Sequence, residues 1–563
     1  MRKTIPMLLA AGMLATAMGA AAQGVLIYKS DNTVLRYNHA DIDSIVAFAA
    51  GEEVQTVDAT EFENAYYATR SEAWFGRNFW EGMWLCTDEA VGVSFNGDWW
   101  DNGRFYYASV HDFQEYAPGS GLIWDLISGI NTTNEIIAKY SNPEDPALAP
   151  LRAIRAYYHF WMMDVYGNVP ILDSVDASTY QQQRADVAAF IEKELLAAIP
   201  DLTISNNEAT YGRPNKWMAE ALLAKLYLNW GVYTNDITTV DGDTANPKLA
   251  DCIQWCDEII NSGVFSLGDN YRSKFFPDNG VQVTDFIYAV PFDAVELDFG
   301  TNKYSAAHSM MRFCDYRKGG YCKPYLWGWA PGTTRAGLYL LTPECVDLFC
   351  LEGDQRNEVI AVGEQYAWDE NFNKTDEPVI VYNDTRFRKE LGPLDFKKEF
   401  EWNDITKLDV GSGDDLTACM NGARCFKYPA NPEDDTVAPS YYIGQSNDIP
   451  IFRLADVMLM KAECCLRQGK EADAIELVNQ VRAASSAPMA TSLTMQDLLD
   501  ERGREMIMEP WRRNDLIRFG KFENCAAWKV EASPSTMSDV NKRVFPFPAD
   551  ALIQYDWAQN PGY

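Results

Sequence analysis

Two tryptophans stand side by side in the run Asn96-Gly97-Asp98-Trp99-Trp100-Asp101-Asn102-Gly103-Arg104-Phe105-Tyr106-Tyr107. An indole is flat and apolar, while Asp101, Asn102 and Arg104 place donors and acceptors beside it. That combination suits a sugar ring, which has an apolar C–H face and a rim of hydroxyls. One indole is expected to pack inward and the other to stay exposed, which suffices for a site. A second cluster, Tyr316, Tyr321, Tyr325, Trp327 and Trp329, has Arg317 and Arg335 nearby. Two or three exposed rings at about 1–2 kcal/mol each, with a few net hydrogen bonds, sum to about −4 to −7 kcal/mol. Such a site binds in the millimolar-to-micromolar range and releases readily.

Catalytic chemistry has little footing. There is no His-Glu-x-x-His, Gly-x-Ser-x-Gly, Gly-x-Gly-x-x-Gly, phosphate-loop or Cys-x-x-Cys pattern. His39, His111, His159 and His308 are scattered, and His159 reads as a structural group inside a packed helix. Asp369-x-Asn371-x-Asn373 begins like a calcium loop, but Lys374 stands where that loop needs glycine and Ile380 where it needs the bidentate Glu. No metal, no cofactor and no catalytic residue is expected.

The chain has 563 residues, with 48 basic against 81 acidic side chains and a formal charge of −33. That charge repels phosphate backbones and anionic lipids, so nucleic acid is a poor partner and neutral ligands are favoured. Aromatic residues make up 13% of the chain, and many of them lie in Gly/Asp/Asn-rich loops. Met1 to Ala22 reads as a secretory signal cleaved near Ala22, and no later segment offers the apolar length of a bilayer span. The 12 cysteines do not form a staple pattern. Cys252 and Cys256 lie one helical turn apart and read as core, Cys464 and Cys465 point apart on one helix, and Cys419 with Cys425 is the disulfide candidate.

Positioning such loops requires a rigid frame, and the sequence supplies helices. In Leu151 to Pro170, LRAIRAYYHFWMMDVYGNVP, apolar residues recur at three- and four-residue steps and also fill the opposite side. This helix must therefore be covered on more than one flank. Gly167 suits a left-handed C-terminal cap, and Pro170 ends the element. Further helices are expected over residues 121–139, 186–198, 215–230, 248–262, 451–466 and 472–482, with another starting near Thr60. They are arranged as tetratricopeptide-type pairs sharing one core. The fold class is mainly α, a helix-pair scaffold with a loop-rich, partly β second lobe inserted at about 271–447. Residues 23–55 form a separate module with a β-hairpin turning at Asp31-Asn32 and a further strand at ADIDSIVAF. Residues 56–563 form the main domain.

The Leu151–Pro170 helix with its Tyr-Gly-Asn-Val-Pro ending resembles the SusD-like (RagB) outer-membrane nutrient-binding family. So do Arg213-Pro214-Asn215-Lys216 and the helix after it, the Ile451–Val457 stretch followed by Asn479-Gln480-Val481-Arg482, and Glu501-Arg502 to Glu509 leading into Trp511–Gly520. The endings Phe545-Pro546-Phe547-Pro548 and Gln559-Asn560-Pro561-Gly562-Tyr563 match as well. The resemblance runs in order from about residue 58 to the C-terminus. It implies a non-catalytic protein that binds an oligosaccharide or polysaccharide at the outer cell surface and hands it to a TonB-dependent, SusC-like transporter. It also implies a glycan platform drawn from an early and a mid-chain loop, which places Trp99, Trp100, Asp101, Asn102, Arg104, Tyr316, Tyr325, Trp327 and Trp329 as ligand residues. Asp88 falls on the family's Asp-Glu pattern and reads equally as structural or ligand-facing. The family's lipoprotein cysteine has no counterpart, since the first cysteine is Cys86. Two alternatives of other classes stay open: a helical-repeat scaffold for peptide or protein ligands, and a secreted carbohydrate-active enzyme.

Overall fold

The computed structural model describes residues 24–28, 34–38, 58–67, 77–94, 97, 103–113, 121–292, 321–322, 339–369, 371–382, 390–411, 420–429 and 446–563. Among these, helices build the frame: α1 (Arg77–Leu85), α2 (Arg104–Ser109), α3 (Leu122–Ile137), α4 (Ala149–Tyr166), α5 (Arg184–Ala198) and α6 (Lys216–Leu228). They continue with α7 (Trp230–Thr234), α8 (Leu249–Asn261), α9 (Leu454–Arg467), α10 (Glu471–Ala484), α11 (Met495–Glu505) and α12 (Arg512–Arg518). Packing is between neighbours, as helix pairs require: α3 on α4, α4 on α5, α6 on α8, α8 on α9 and α9 on α10. No described helix is long and apolar enough to cross a membrane.

Helix α4 is enclosed on every side, with all residues from Leu151 to Tyr166 buried. Pro150 sits in its first turn, where a missing N–H costs nothing. Gly167 has the positive φ expected of a cap, 78°, but its ψ of −106° lies outside the left-handed helical well. The Gly167 N–H still closes the helix on the Met163 carbonyl at 2.9 Å. Trp161 stacks on Trp511 at 4.9 Å and Trp511 on Phe452 at 5.5 Å, while the Lys225 ammonium lies 4.2 Å over the Trp511 ring. Tyr158 donates its hydroxyl to the Ala65 carbonyl, fastening the short helix Phe62–Tyr66 to the frame. The start expected near Thr60 is a single 3₁₀ turn, Ala59–Glu61, capped by Asp58.

One expectation is corrected. Residues 451–466 do not form a single helix; Ile449–Arg453 is a strand and α9 begins at Leu454. The branched or aromatic Ile449, Ile451 and Phe452 suit a strand, Pro450 sits beside a shift in the ladder register, and a partner is available in Phe286–Val290, which pairs antiparallel. Both strands are wholly buried. Phe286–Val290 therefore belongs to the frame although it lies inside the span expected as an insertion.

Elsewhere in 271–447 the described elements are short ladders. Tyr321–Cys322 pairs parallel with Ile380–Tyr382, and Lys374–Pro378 pairs with Tyr366–Trp368. The calcium-like Asp369 is the turn of the latter pair, its Oδ1 accepting the N–H groups of Asn371 and Asn373 at 2.9 and 2.8 Å. Toward the N-terminus, Gly24–Tyr28 and Val34–Asn38 pair antiparallel in a register centred on residue 31. The expected third strand of that module and the signal segment lie outside the described residues.

The acidic excess is partly spent inside. Arg453 donates to Asp285, Glu505 and Glu509 at 2.8–3.0 Å. Arg502 bridges Asp456 and Asp515, Arg518 bridges Glu463 and Asp515, and Arg356 meets Asp354 and Glu501. Although burial acts against their ionisation, the guanidinium charges hold Asp515 below its ordinary range and Glu501 down at about 2. These pairs link strand Ile449–Arg453 and α9 to α11 and α12, and most of the acids are shared between two cations, so removing one cation weakens the compensation of several buried charges at once.

His159 is structural, as expected. Its Nε2 accepts the Leu172 N–H at 3.0 Å and its Nδ1 meets the Arg155 carbonyl at 2.8 Å, while burial pushes it down to about 4, leaving it neutral. Cys252 and Cys256 are free and buried, with the Cys252 thiol on the Ala224 carbonyl. Cys425 is a free buried thiol in a strand paired with Ile360–Ala361. Its proposed disulfide partner Cys419 lies outside the described residues.

Candidate functional site

Of the nine expected ligand residues, Arg104 opens α2, while Trp99, Trp100, Asp101, Asn102, Tyr316, Tyr325, Trp327 and Trp329 lie outside the described residues. What the structure describes is the base on which the early loop stands. Strand Ala90–Gly92 leads into the loop and pairs antiparallel with Tyr339–Leu341, which follows the mid-chain aromatic segment. Two strands about 250 residues apart in the chain, one before the early aromatic run and one after the mid-chain run, are thereby paired in a single ladder.

Asp409 anchors the loop. It accepts from the Ser94 hydroxyl at 3.2 Å, from the Gly97 N–H, from the Asn403 amide at 3.1 Å and from the Gly411 N–H at 2.7 Å. The backbone adds a pair of bonds, Ser94 N–H to the Leu408 carbonyl and Val410 N–H to the Ser94 carbonyl, each 3.0 Å. At the far side Gly103 takes a φ of 82° to turn the chain into α2. Helix α2 then crosses the strand so closely that a Cβ on Gly92 would lie 2.3 Å from that of Phe105. Val91, Val93, Val110, Leu340, Leu408 and Val410 form a small core beneath.

Three aromatic residues not singled out in the sequence border this core. Phe400 and Trp402 stack at 4.9 Å with planes 16° apart, and Trp528 lies 5.2 and 5.4 Å from them. All three are half-buried, and Tyr106 beside them donates its hydroxyl to the Thr406 carbonyl at 2.9 Å. Partly exposed stacked rings next to the loop base offer further apolar surface for a ring-shaped ligand. The signal was present in Glu401-Trp402-Asn403-Asp404, which repeats the indole-among-carboxylates pattern of residues 98–102.

Asp88 is structural. Arg512 clasps it through Nε and Nη2 at 2.7 and 2.6 Å. Next to it Glu89 is fully buried, neither carboxyl oxygen makes a hydrogen bond of normal geometry, and burial pushes it up to about 8. Lys529 is buried beneath the same strand and donates to the carbonyls of Leu85, Thr87 and Ala90. Histidine 111 in this region is stacked on Phe522 at 4.3 Å and pushed down to about 3 by burial, so it offers no proton near neutrality. Around the loop base Asp88, Lys529 and Asp409 are engaged by the scaffold, and the arrangement is suited to fixing the position of the loop.

Comparison with known proteins agrees with this architecture. The profile described as SusD family matches residues 339–546, and that described as "Starch-binding associating with outer membrane" matches residues 122–228. The chain is 26% identical over 430 residues to the starch-binding protein SusD of Bacteroides thetaiotaomicron, covering 74% of this chain and 72% of that one. Among solved structures it resembles a laminarin binding SusD-like protein, with a TM-score of 0.63 at 19% identity, covering 90% of this chain and 100% of that one. It also resembles surface glycan-binding protein A of B. thetaiotaomicron in complex with laminarihexaose, with a TM-score of 0.62 at 17% identity and the same two coverages. The two profiles fall on the helices from α3 to α6 and on the segment running from Tyr339 past α12, and over these segments the chain matches the SusD-like (RagB) family.

Proposed function

We propose that this chain is a non-catalytic binder of oligosaccharide or polysaccharide at the outer cell surface, delivering its ligand to a SusC-like TonB-dependent transporter. The observation that supports the reading is the pairing of Ala90–Gly92, which precedes one aromatic segment, with Tyr339–Leu341, which follows the other, in a chain similar to a starch-binding relative. Trp99, Trp100, Asp101, Asn102 and Arg104 from the early loop, with Tyr316, Tyr325, Trp327 and Trp329 from the mid-chain segment, are the proposed ligand residues. Phe400 and Trp402 extend the platform. Binding at about −4 to −7 kcal/mol suits a protein that must release what it captures.

Affinity electrophoresis over a panel of polysaccharides tests the reading. Retardation by at least one glycan is expected, and Trp99→Ala with Trp100→Ala abolishes it while leaving the helical circular-dichroism signal intact. Unchanged retardation in that variant removes the site assignment. Shortened products after prolonged incubation would replace the binding function with an enzymatic one.

A further inference from the structure

A cavity of about 460 Å³ opens between the C-terminal end of α4, the start of α5, the segment after α7 and the C-terminal tail. None of the residues that line it belongs to the aromatic loops. Its size falls in the range of about 300–1,000 Å³ typical of small-molecule sites.

Arg184 lines it and is only 7% exposed. Its Nη2 donates to the carbonyls of Val232 and Asn235. Among the described residues Nε and Nη1 have no acceptor and no carboxylate lies within ion-pairing distance. Other buried arginines differ: Arg356, Arg512 and Arg518 each hold carboxylates at 2.6–2.8 Å and are pushed up by them. Burial pushes Arg184 down instead, to about 10. In a chain carrying −33 overall, a buried guanidinium with no ion-paired carboxylate is left with charge to offer a ligand.

The mouth of the cavity is polar. Asn168 uses its Oδ1 to accept the Arg184 N–H at 2.9 Å, which leaves its amide hydrogens for a ligand. Asn541 donates to Asp539 at 2.7 Å and keeps its carbonyl oxygen. Asp236 is held by Thr238 through Oδ1 at 2.9 and 2.8 Å and sets a negative charge at the rim. Donors and acceptors alternate around a cationic floor, which matches a ring that carries one carboxylate and several hydroxyls.

We infer that this cavity binds a carboxylate-bearing sugar, a hexuronate unit, with the carboxylate on the Nη1 hydrogens of Arg184 and the ring hydroxyls on Asn168 and Asn541. This is a site additional to the aromatic platform and does not depend on it.

Isothermal titration of the full chain with D-glucuronate, D-galacturonate, D-glucose and acetate tests the inference. One hexuronate should saturate, weaken as salt rises, and bind at least ten-fold more tightly than glucose or acetate. Arg184→Met should lose at least ten-fold. Asp236→Asn, which removes a like charge while keeping the Thr238 contacts, should gain several-fold and stands as the decisive variant should Arg184→Met not fold. The Trp99→Ala, Trp100→Ala variant should bind the hexuronate unchanged. The inference is overturned if neither hexuronate saturates, if glucose or acetate binds as well, if Asp236→Asn fails to strengthen binding, or if the double tryptophan variant loses it.

Discussion

Glu89 gives a test of how the loop base is held. It enters the strand Ala90–Gly92 next to Asp88, is fully buried, and finds no hydrogen bond of normal geometry for either oxygen. Burial, opposed first by Arg512, raises it from 4.5 to about 8. The folded chain therefore holds Glu89 as a neutral acid at pH 7, whereas the unfolded chain ionises it. Its contribution to stability is complete below about pH 4.5 and is lost as pH rises through about 8. At about 1.4 kcal/mol per pH unit, the full window is worth at most about 5 kcal/mol, with about 3 already lost at pH 7. Glu89→Gln keeps the shape and is neutral in both states, so it removes this dependence. The new amide adds an offset of about 1–3 kcal/mol for unpaired donors, which does not vary with pH. Urea denaturation of both proteins from pH 5 to 8 should show the variant gaining about 2–4 kcal/mol relative to the native chain across that range, with unchanged slope in denaturant. A difference that stays constant with pH would mean that Glu89 is ionised in the fold, paired with Arg512 or Lys427, and would refute the reasoning.

Asp409→Ala removes the acceptor for Ser94, Gly97, Asn403 and Gly411. It should cost about 1–3 kcal/mol of stability by thermal melting and reduce polysaccharide retardation without altering helical content. Arg453→Met leaves Asp285, Glu505 and Glu509 with only Lys274, Arg356 and Lys427 as buried counter-charges and should cost about 3–5 kcal/mol. Adding Glu509→Gln to Arg453→Met should recover part of that loss, as read from the shift in melting midpoint.

Helical periodicity made the frame legible, because an all-round apolar pattern such as Leu151–Tyr166 has no solution other than burial among helices. Local chemistry likewise identified Asn215 as the start of α6, where its side chain accepts the Met218 N–H. The strand at Ile449–Arg453 was missed because its apolar run reads equally as the first turn of α9. Its pairing with Phe286–Val290 comes from more than 150 residues away, beyond any local signal. The indole-rich loops were visible by composition, yet the acid that fastens the first of them, Asp409, is about 310 residues distant and looks like any other aspartate of an acidic chain. Asp88 shows the same limit, since only its meeting with Arg512 makes it structural. Arg184 does so in reverse: in sequence it is one of 48 basic residues, and its character comes from a folded neighbourhood that buries it and brings no carboxylate within ion-pairing distance. Periodicity and residue type act over one or two turns of chain, so they specify elements and candidate surfaces. Burial, charge pairing and cavities arise between segments hundreds of residues apart, and they exist only once the chain has closed on itself.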